Sequence, residues 1–493
     1  MTRHGIWTRI IARAIGAVAP RTALRWAANR AALAAYIGAG GSDHNANWRP
    51  TRKSADAILR TDSAALVARA RSLDRNFVSV SGALRTICDN VVHTGIRPQF
   101  THARTKAGFP DLEAAFAAWA KLNKFYIVSQ KLALRHWWVD GEILGNLWID
   151  PRRLRAGVNP LRVEMLEQDM LDTSKDGPLE NGGSMRRGVE LDKYGDVAAY
   201  WILSSHPGDY LCGLGLDSRR VEASRIVHLW LPLRASQTRG VSLLAPIVEE
   251  IRDLSEYKAS ERVAARLASA FGIFIKTQYP ELGAGQYPQR PGAAGGEGGS
   301  RAASVSDYIE PGRIQTLPPG TDIAVAEANR PASPYSEYVK ASNKDASVGF
   351  GLRYGNYSHD YTDSSFSSER SASLDERRGW KGQQIFLQDG WCDPICRRWL
   401  EYEYLTGRTN IVPEDVAVNW QAPGWPWVDP TKDAAAAEKK LNMRVTTRRA
   451  ICAEMGEDFD EILPQLAREE EAIAKALPTA TPKGEGNATQ EEK

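Results

Sequence analysis

Residues 246–271 read PIVEEIRDLSEYKASERVAARLASAF, with no proline or glycine after Pro246. A proline at the first helical position has its φ preset and lacks only a donor that would be unpaired there. Ile247, Ile251 and Leu254 share one stripe with Glu249, Asp253 and Glu256 opposite, while Val263, Leu267 and Ala270 form a stripe on roughly the other side. The spacing predicts one helix of about 39 Å. It buries different sides along its length, as a rod passing from one neighbour to another would. An ordinary core helix can be as long, so the flanking sequence has to decide.

Downstream, Gly272–Lys276 and Arg313–Leu317 read as strands. Between them lies YPELGAGQYPQRPGAAGGEGGSR (279–301), whose seven glycines and three prolines predict an exposed loop. Ser333 to Phe350 is a second helical segment. LRYGNYSHDYTDSS (352–365) reads as a polar, aromatic-rich loop, and Ser367–Glu403 as a long helical region broken near Gly390 and Pro394. Trp420–Pro430 is a Trp/Pro turn cluster, Asp433–Leu477 a run of helices, and 478–493 a tail of disordered composition.

Upstream, residues 1–40 lack any acidic side chain and predict one or two basic amphipathic helices, or a frayed arm, followed by a linker at Gly38–Arg52. Ser63–Val92 gives two helices, with Leu84, Ile87 and Val91 at helical spacing and Gly95 as the stop; Ile96–Phe100 is an extended exit. Asp111–Trp138 is helical, with Phe116, Trp119, Phe125 and Leu132 as core candidates. From Asp140 the period shortens to that of strands: Ile143–Ile149, Leu161–Leu166, Gly188–Asp192, Val197–Leu203 and Ile226–Leu231, with Lys193–Asp196 as a hairpin tip. The fold class is α+β.

The 493 residues suffice for two to four domains. No run reaches the ~20 apolar residues of a membrane span, and Arg9, Arg13, Arg21 and Arg25 interrupt the N-terminal apolar bursts, against a signal peptide. Five scattered cysteines argue for a reducing compartment and against a disulfide framework; Cys392 and Cys396 lack a second metal-ligand pair nearby. The net charge of +3 conceals a gradient: residues 1–100 carry 15 Lys/Arg against 5 Asp/Glu, residues 401–493 carry 11 against 18. The two ends therefore suit different partners.

Catalytic patterns are missing. No G-x-x-x-x-G-K-[ST], G-x-G-x-x-G, H-E-x-x-H or G-x-S-x-G occurs. Ser205-His206-Pro207-Gly208-Asp209 reads as a turn, as do Asp169, Asp172 and Asp176-Gly177, whose spacing fails a calcium loop. The expectation is a non-enzyme without cofactor or metal.

Several strings in fixed order resemble lambda-type tailed-phage portal proteins. They are RNFVSVSGALRTICDNVVHTGIRPQF (75–100), GVELDKYGDVAAYWILSSHPG (188–208), Gln237–Val241 with Leu244-Ala245-Pro246, Ile309–Gly312, Leu317–Gly320, Phe366–Arg370, Trp427–Pro430 and Thr447–Arg449. Phe366 stands where that family usually has tyrosine, and the Gly-rich insert is long. The resemblance spans about residues 60–475. It implies a ring of about twelve copies at one capsid vertex. The segments would be a basic arm and linker (1–52), an α+β wing (53–240), a first stem helix (241–271), a clip (272–332), a second stem helix (333–351), a tunnel loop (352–366), wing helices (367–432), a helical crown (433–477) and a tail (478–493).

The implied partners are further copies of the chain, double-stranded DNA in the channel, the terminase large subunit, a head-completion or adaptor protein, and major capsid and scaffold proteins. The implied location is the portal vertex of the virion, with assembly in the host cytoplasm. The tunnel residues would be Arg353, Tyr354, Tyr357, His359, Asp360, Tyr361 and Asp363; the stem would present Arg252, Lys258, Arg262 and Arg266; the clip would dock partners through Tyr279, Gln286, Arg290 and Arg301. The mixed charge of the tunnel segment suits weak, sequence-independent contact with sliding DNA, and an acidic crown would repel the duplex. The competing reading is a basic nucleic-acid- or membrane-associated binding protein without a ring.

Overall fold

A computed structural model describes residues 52–209, 217–269, 273–277, 321–325, 335–362, 365–427 and 429–476. The chain divides into two compact units, Met1–Ile58 and Leu59–Lys493. Of the first, residues 52–58 are described, and they open helix α1 (Ala55–Asn76). The expected N-terminal helices, the Gly-rich segment 279–301, the strand Arg313–Leu317 and the tail 478–493 lie outside the described residues.

The expected helix pair is present. After α1, Phe77 turns the chain into α2 (Val78–Val91), whose Leu84, Ile87 and Val91 are all buried. Strand β1 (Arg97–His102) follows, then α3 (Pro110–Leu122), begun by Pro110 at a first-turn position. The continuous helix expected over Asp111–Trp138 is instead broken. Lys124 adopts φ 52°, and a π-turn, Phe125–Ser129, leads into α4 (Gln130–Val139). That shift of phase corrects one core candidate: Phe116, Trp119 and Phe125 are buried, while Leu132 faces outward.

Strands β2 (Glu142–Ile149), a one-turn helix α5 (Pro151–Arg155) and β3 (Leu161–Leu166) come next. The short strands β4 (Gly177–Pro178), β5 (Ser184–Arg186) and β6 (Val189–Leu191) precede β7 (Val197–Leu203), β8 (Ser218–Glu222) and β9 (Ile226–Trp230). Pairing is antiparallel throughout. β3–β2–β9 form one sheet and β4–β5–β6–β7–β8 another, with the β6–β7 hairpin turning through Asp192–Asp196 as the sequence indicated. A small core of Leu144, Leu166, Leu171, Val189, Tyr200, Ile202, Val221 and Ile226 joins them.

Helix α6 (Val248–Ser269) is the long rod, entered by a 3-10 turn at Ala245–Ile247. β10 (Ile273–Thr277) pairs with β11 (Thr321–Val325), so the described partner of the first strand lies beyond Arg313–Leu317. Then come α7 (Tyr335–Phe350), α8 (Tyr354–Ser358) and α9 (Phe366–Leu387). A π-turn at Gln388–Cys392 and α10 (Asp393–Leu405) complete the long helical region, interrupted near Gly390 as expected. β12 (Val416–Gln421) returns to pair with β1, joining Arg97 to Gln421 across the sequence. Helices α11 (Pro430–Asn442), α12 (Arg448–Met455) and α13 (Phe459–Ala476) finish the described chain; Asp429 and Thr447 cap the first two by accepting from Lys432 N and Ala450 N.

The main core lies where α2, α3, α4, β1 and β2 meet α9 and α10. Phe100 of β1 stacks on Trp399 of α10 at 6.0 Å, and Phe116 meets Trp399 edge-on at 5.0 Å. Gln384 of α9 donates to Val91 O at the end of α2. Segments about 300 residues apart in sequence therefore share one interior. Replacing Trp399 with alanine is expected to cost about 3–5 kcal/mol of unfolding free energy, read as a lowered urea midpoint. Loss below 1 kcal/mol would contradict this packing.

Candidate channel site

The lead-in to α6 is pinned before the rod begins. Glu142, the first residue of β2, is fully buried, and Arg239 approaches it with Nε 2.7 Å from Oε1. Gly240 N donates to Glu142 Oε2 at 2.7 Å, and His228 Nε2 of β9 lies 2.9 Å from the same oxygen. Arg239 also donates to Arg187 O at 2.8 Å. Burial alone would raise the Glu142 pKa. The charge of Arg239 and the hydrogen bond from His228 overcome that and hold the carboxyl well below the usual range. Gly141, at φ 91°, and Gly240 face each other backbone to backbone; a Cβ on Gly141 would lie 2.1 Å from Val241 C. Leu243 N then donates to Trp138 O. Together these contacts fix where α6 starts.

From that anchor α6 and α7 run as an antiparallel pair. Gly349, near the end of α7, lets Ile247 approach so closely that a Cβ there would meet Ile247 Cγ2 at 2.3 Å. Toward the other end, Tyr257 meets Tyr335 at 5.8 Å and Tyr338 at 4.8 Å. Ile247, Ile251 and Leu254 are buried, as the first stripe requires. Of the second stripe, Val263 is 54% exposed, the side chains of Leu267 and Ala270 lie outside what is described, and on α7 Val348 is 77% exposed. Among the stem candidates, Arg252 is exposed and paired with Glu256 at 2.8 Å. Lys258 is half-buried, which lowers its pKa, and Arg262 and Arg266 are exposed.

Residues 352–362 are a folded turn rather than a loop, because their side chains find partners on α9. Arg353 Nη1 reaches Glu369 Oε2 at 2.5 Å, Arg353 Nη2 donates to Asn356 Oδ1 at 3.0 Å, and Asn356 Nδ2 donates to Glu376 Oε2 at 2.6 Å. Arg353 N donates to Glu376 Oε1. Burial raises the Glu376 pKa in spite of these partners. Tyr357 is buried against Phe350, which stacks on Trp138. His359 ends α8 at φ 55°. Asp360 accepts from Thr362 Oγ1 at 2.6 Å and from Thr362 N, which lowers its pKa. Of the expected tunnel residues, Arg353 and Tyr357 are therefore engaged inside the subunit. His359 and Tyr361 are exposed, Tyr354 and Asp360 are half-buried, and Asp363 lies outside the described residues. Tyr279, Gln286, Arg290 and Arg301 lie outside them as well.

Among the described residues, Glu167, Asp169 and His206 form a cluster that could hold a cation. Arg71 already occupies it, with Nη2 2.9 Å from Glu167 Oε2 and 2.6 Å from Asp169 Oδ2. Cys88, Cys392, Cys396 and Cys452 are free thiols, and Cys212 is not among the described residues. No described helix is long and apolar enough to cross a membrane.

The family model "Phage portal protein, lambda family" matches residues 41–384. The chain belongs to that family. Relatives align along most of the portal chain. A probable portal protein of Halomonas phage phiHAP-1 is 26% identical over 451 residues, covering 86% of this chain and 84% of the relative. Portal protein B of Escherichia phage lambda is 21% identical over 461 residues, covering 86% of each. A solved chain from the virion of a native gene transfer agent particle aligns over 83% of this chain and 96% of its own, at 13% identity and a TM-score of 0.42. The protein functions as a phage portal protein and is a virion component.

Sequence reasoning missed the anchor of this portal subunit. Arg239 sits in a string quoted for its resemblance, yet its partner Glu142 is 97 residues away and no local pattern links the two. Glu142→Gln is expected to destabilise the fold by about 3–5 kcal/mol, because buried Arg239 loses its counter-charge. Since the folded pKa is depressed, the carboxylate's contribution is complete above the ordinary value near 4.5 and is lost as pH falls below it. Urea titrations from pH 7 to pH 3 should therefore show an acid-side slope that the variant lacks in part; identical slopes would refute the assignment. Arg353→Ala should raise amide exchange across 352–362 by roughly tenfold or more, whereas His359→Ala should leave it unchanged.

Proposed function

We propose that about twelve copies close into a ring whose central wall is built from the α6–α7 pairs, and that double-stranded DNA passes through that opening during packaging and ejection. The observation that carries the reading is the apolar surface left open on both rods at Val263 and Val348. Two helices whose inner face is satisfied still present apolar side chains outward, and neighbouring copies are the surface that would cover them. The subunit acts by shape and charge, without catalysis of its own. Terminase and the head-completion protein would dock at the segment around β10 and β11, and the capsid and scaffold proteins would meet the wing.

At the turn, Arg353 and Tyr357 hold the segment in place, leaving His359, Tyr361 and Asp360 as the contact surface for DNA. A carboxylate beside a phenol and an imidazole gives the duplex little to grip. The N-terminal basic arm supports the competing reading of a binding protein without a ring, and particle size separates the two. Native mass measurement or negative-stain imaging of the purified full chain should show a closed ring; only monomers or dimers would overturn the proposal. In assembled particles, Asp360→Lys with Asp363→Lys should slow packaging at low salt, with the difference shrinking as salt rises.

A further inference from the structure

The acidic end of the chain is not uniform. Residues 430–449 carry six Lys/Arg against two Asp/Glu, and residues 450–476 carry two against eight. The basic part lies beside a groove of about 820 Å³ between α9, the Trp420–Trp427 turn, α11 and α12. Along its α9 wall run Leu374, Arg378, Lys381 and Ile385, at helical spacing, the two apolar members half-exposed. Among the described residues Arg378 pairs with exposed Asp375, three residues away, an interaction readily exchanged. The acidic part contains α13, which from Leu463 to Ala476 is exposed on every side, including its apolar stripe of Leu463, Leu466 and Ile473.

We propose that α13 of one copy docks antiparallel onto the α9 wall of this groove in the next copy. The two stripes match in length, about 16 Å each at the helical rise. Antiparallel register puts Leu374 opposite Ile473, Ile385 opposite Leu463, and Arg378 opposite Glu470, with Glu469 and Glu471 flanking. Apolar ends meet apolar ends, Arg378 meets a carboxylate, and the aliphatic stem of Lys381 lies over Leu466. Groove and helix are different surfaces, so each copy offers one to each side, which is the head-to-tail contact a closed ring needs. A bare phosphate backbone would match the arginines but leave Leu374, Ile385 and the tryptophans of the groove in water. The acidic helix of the crown thus joins the basic wall of α9 in the neighbouring copy, and it is covered rather than turned on DNA.

The inference rests on the ring reading, and its test separates the two. Full-length chains carrying Leu374→Cys and chains carrying Ile473→Cys are mixed, assembled and oxidised with copper–phenanthroline, wild-type chains setting the thiol background. A disulfide-linked heterodimer is the expected product. Arg378→Glu with Lys381→Glu should weaken association per interface roughly tenfold. Adding Glu469→Lys and Glu470→Lys to the same chain should restore it. Rings that form without the crosslink overturn the docking and leave the ring intact, whereas wild-type chains that never assemble overturn both. If the crosslink is absent and Arg378→Glu with Lys381→Glu abolishes retention of a short DNA duplex, the groove is a nucleic-acid surface and the docking is wrong.

Discussion

Everything distal in this subunit depends on how one buried carboxylate is satisfied. Glu142 has Arg239, His228 and the Gly240 amide around it, inside a site that excludes water. An unpaired carboxylate there would be far more costly than any surface contact in the protein, so the lead-in to α6 has one place to sit. Gly141 and Gly240 sharpen the constraint, because only residues without Cβ allow the two backbones to come so close. The rod then leaves the sheets from a fixed point. A long helix magnifies a small error at its base into a large one at its tip, which is why the base is held by charge and close packing together.

The α6–α7 pair inherits that orientation and adds little of its own. Ile247 against Gly349 and Tyr257 against Tyr335 and Tyr338 hold the helices side by side. Val263 and Val348 stay exposed on their other faces, the apolar surface that the proposed ring would cover. The turn after α7 works differently. Its two carboxylates on α9, Glu369 and Glu376, take up Arg353, and the aromatic stack Trp138–Phe350–Tyr357 seats it from below. In the proposed ring, a folded turn presenting a few weak contacts would suit a surface past which DNA slides.

Much of the secondary structure was legible in the sequence because it follows local periodicity. Leu161–Leu166 and Val197–Leu203 appear with the bounds their alternation implied, and the stripe Ile247–Ile251–Leu254 is buried as its spacing required. Failures came where distant contacts overrule local pattern. Leu132 has the spacing of a core residue, but the π-turn at Phe125–Ser129 rotates it outward. β12 lies next to a Trp/Pro cluster and becomes a strand because β1 offers an edge. The polar stretch 352–365 has a loop's composition, yet Glu376, some twenty residues further on, holds Arg353 and Asn356 in a folded turn over 352–362.

By itself, then, the chain determined its α+β class, its long rod, the run of terminal helices and, through ordered strings, its family. Those are properties of residue spacing, which acts over a few turns of backbone. The tertiary structure alone decided which charges are spent inside the subunit and which remain at the surface. Arg353 and Arg239 look in sequence like any other exposed cation, and Arg378 like either of them. A charge's fate depends on what lies within a few ångströms after folding, and Coulomb energy in a dry interior follows that distance regardless of separation along the chain.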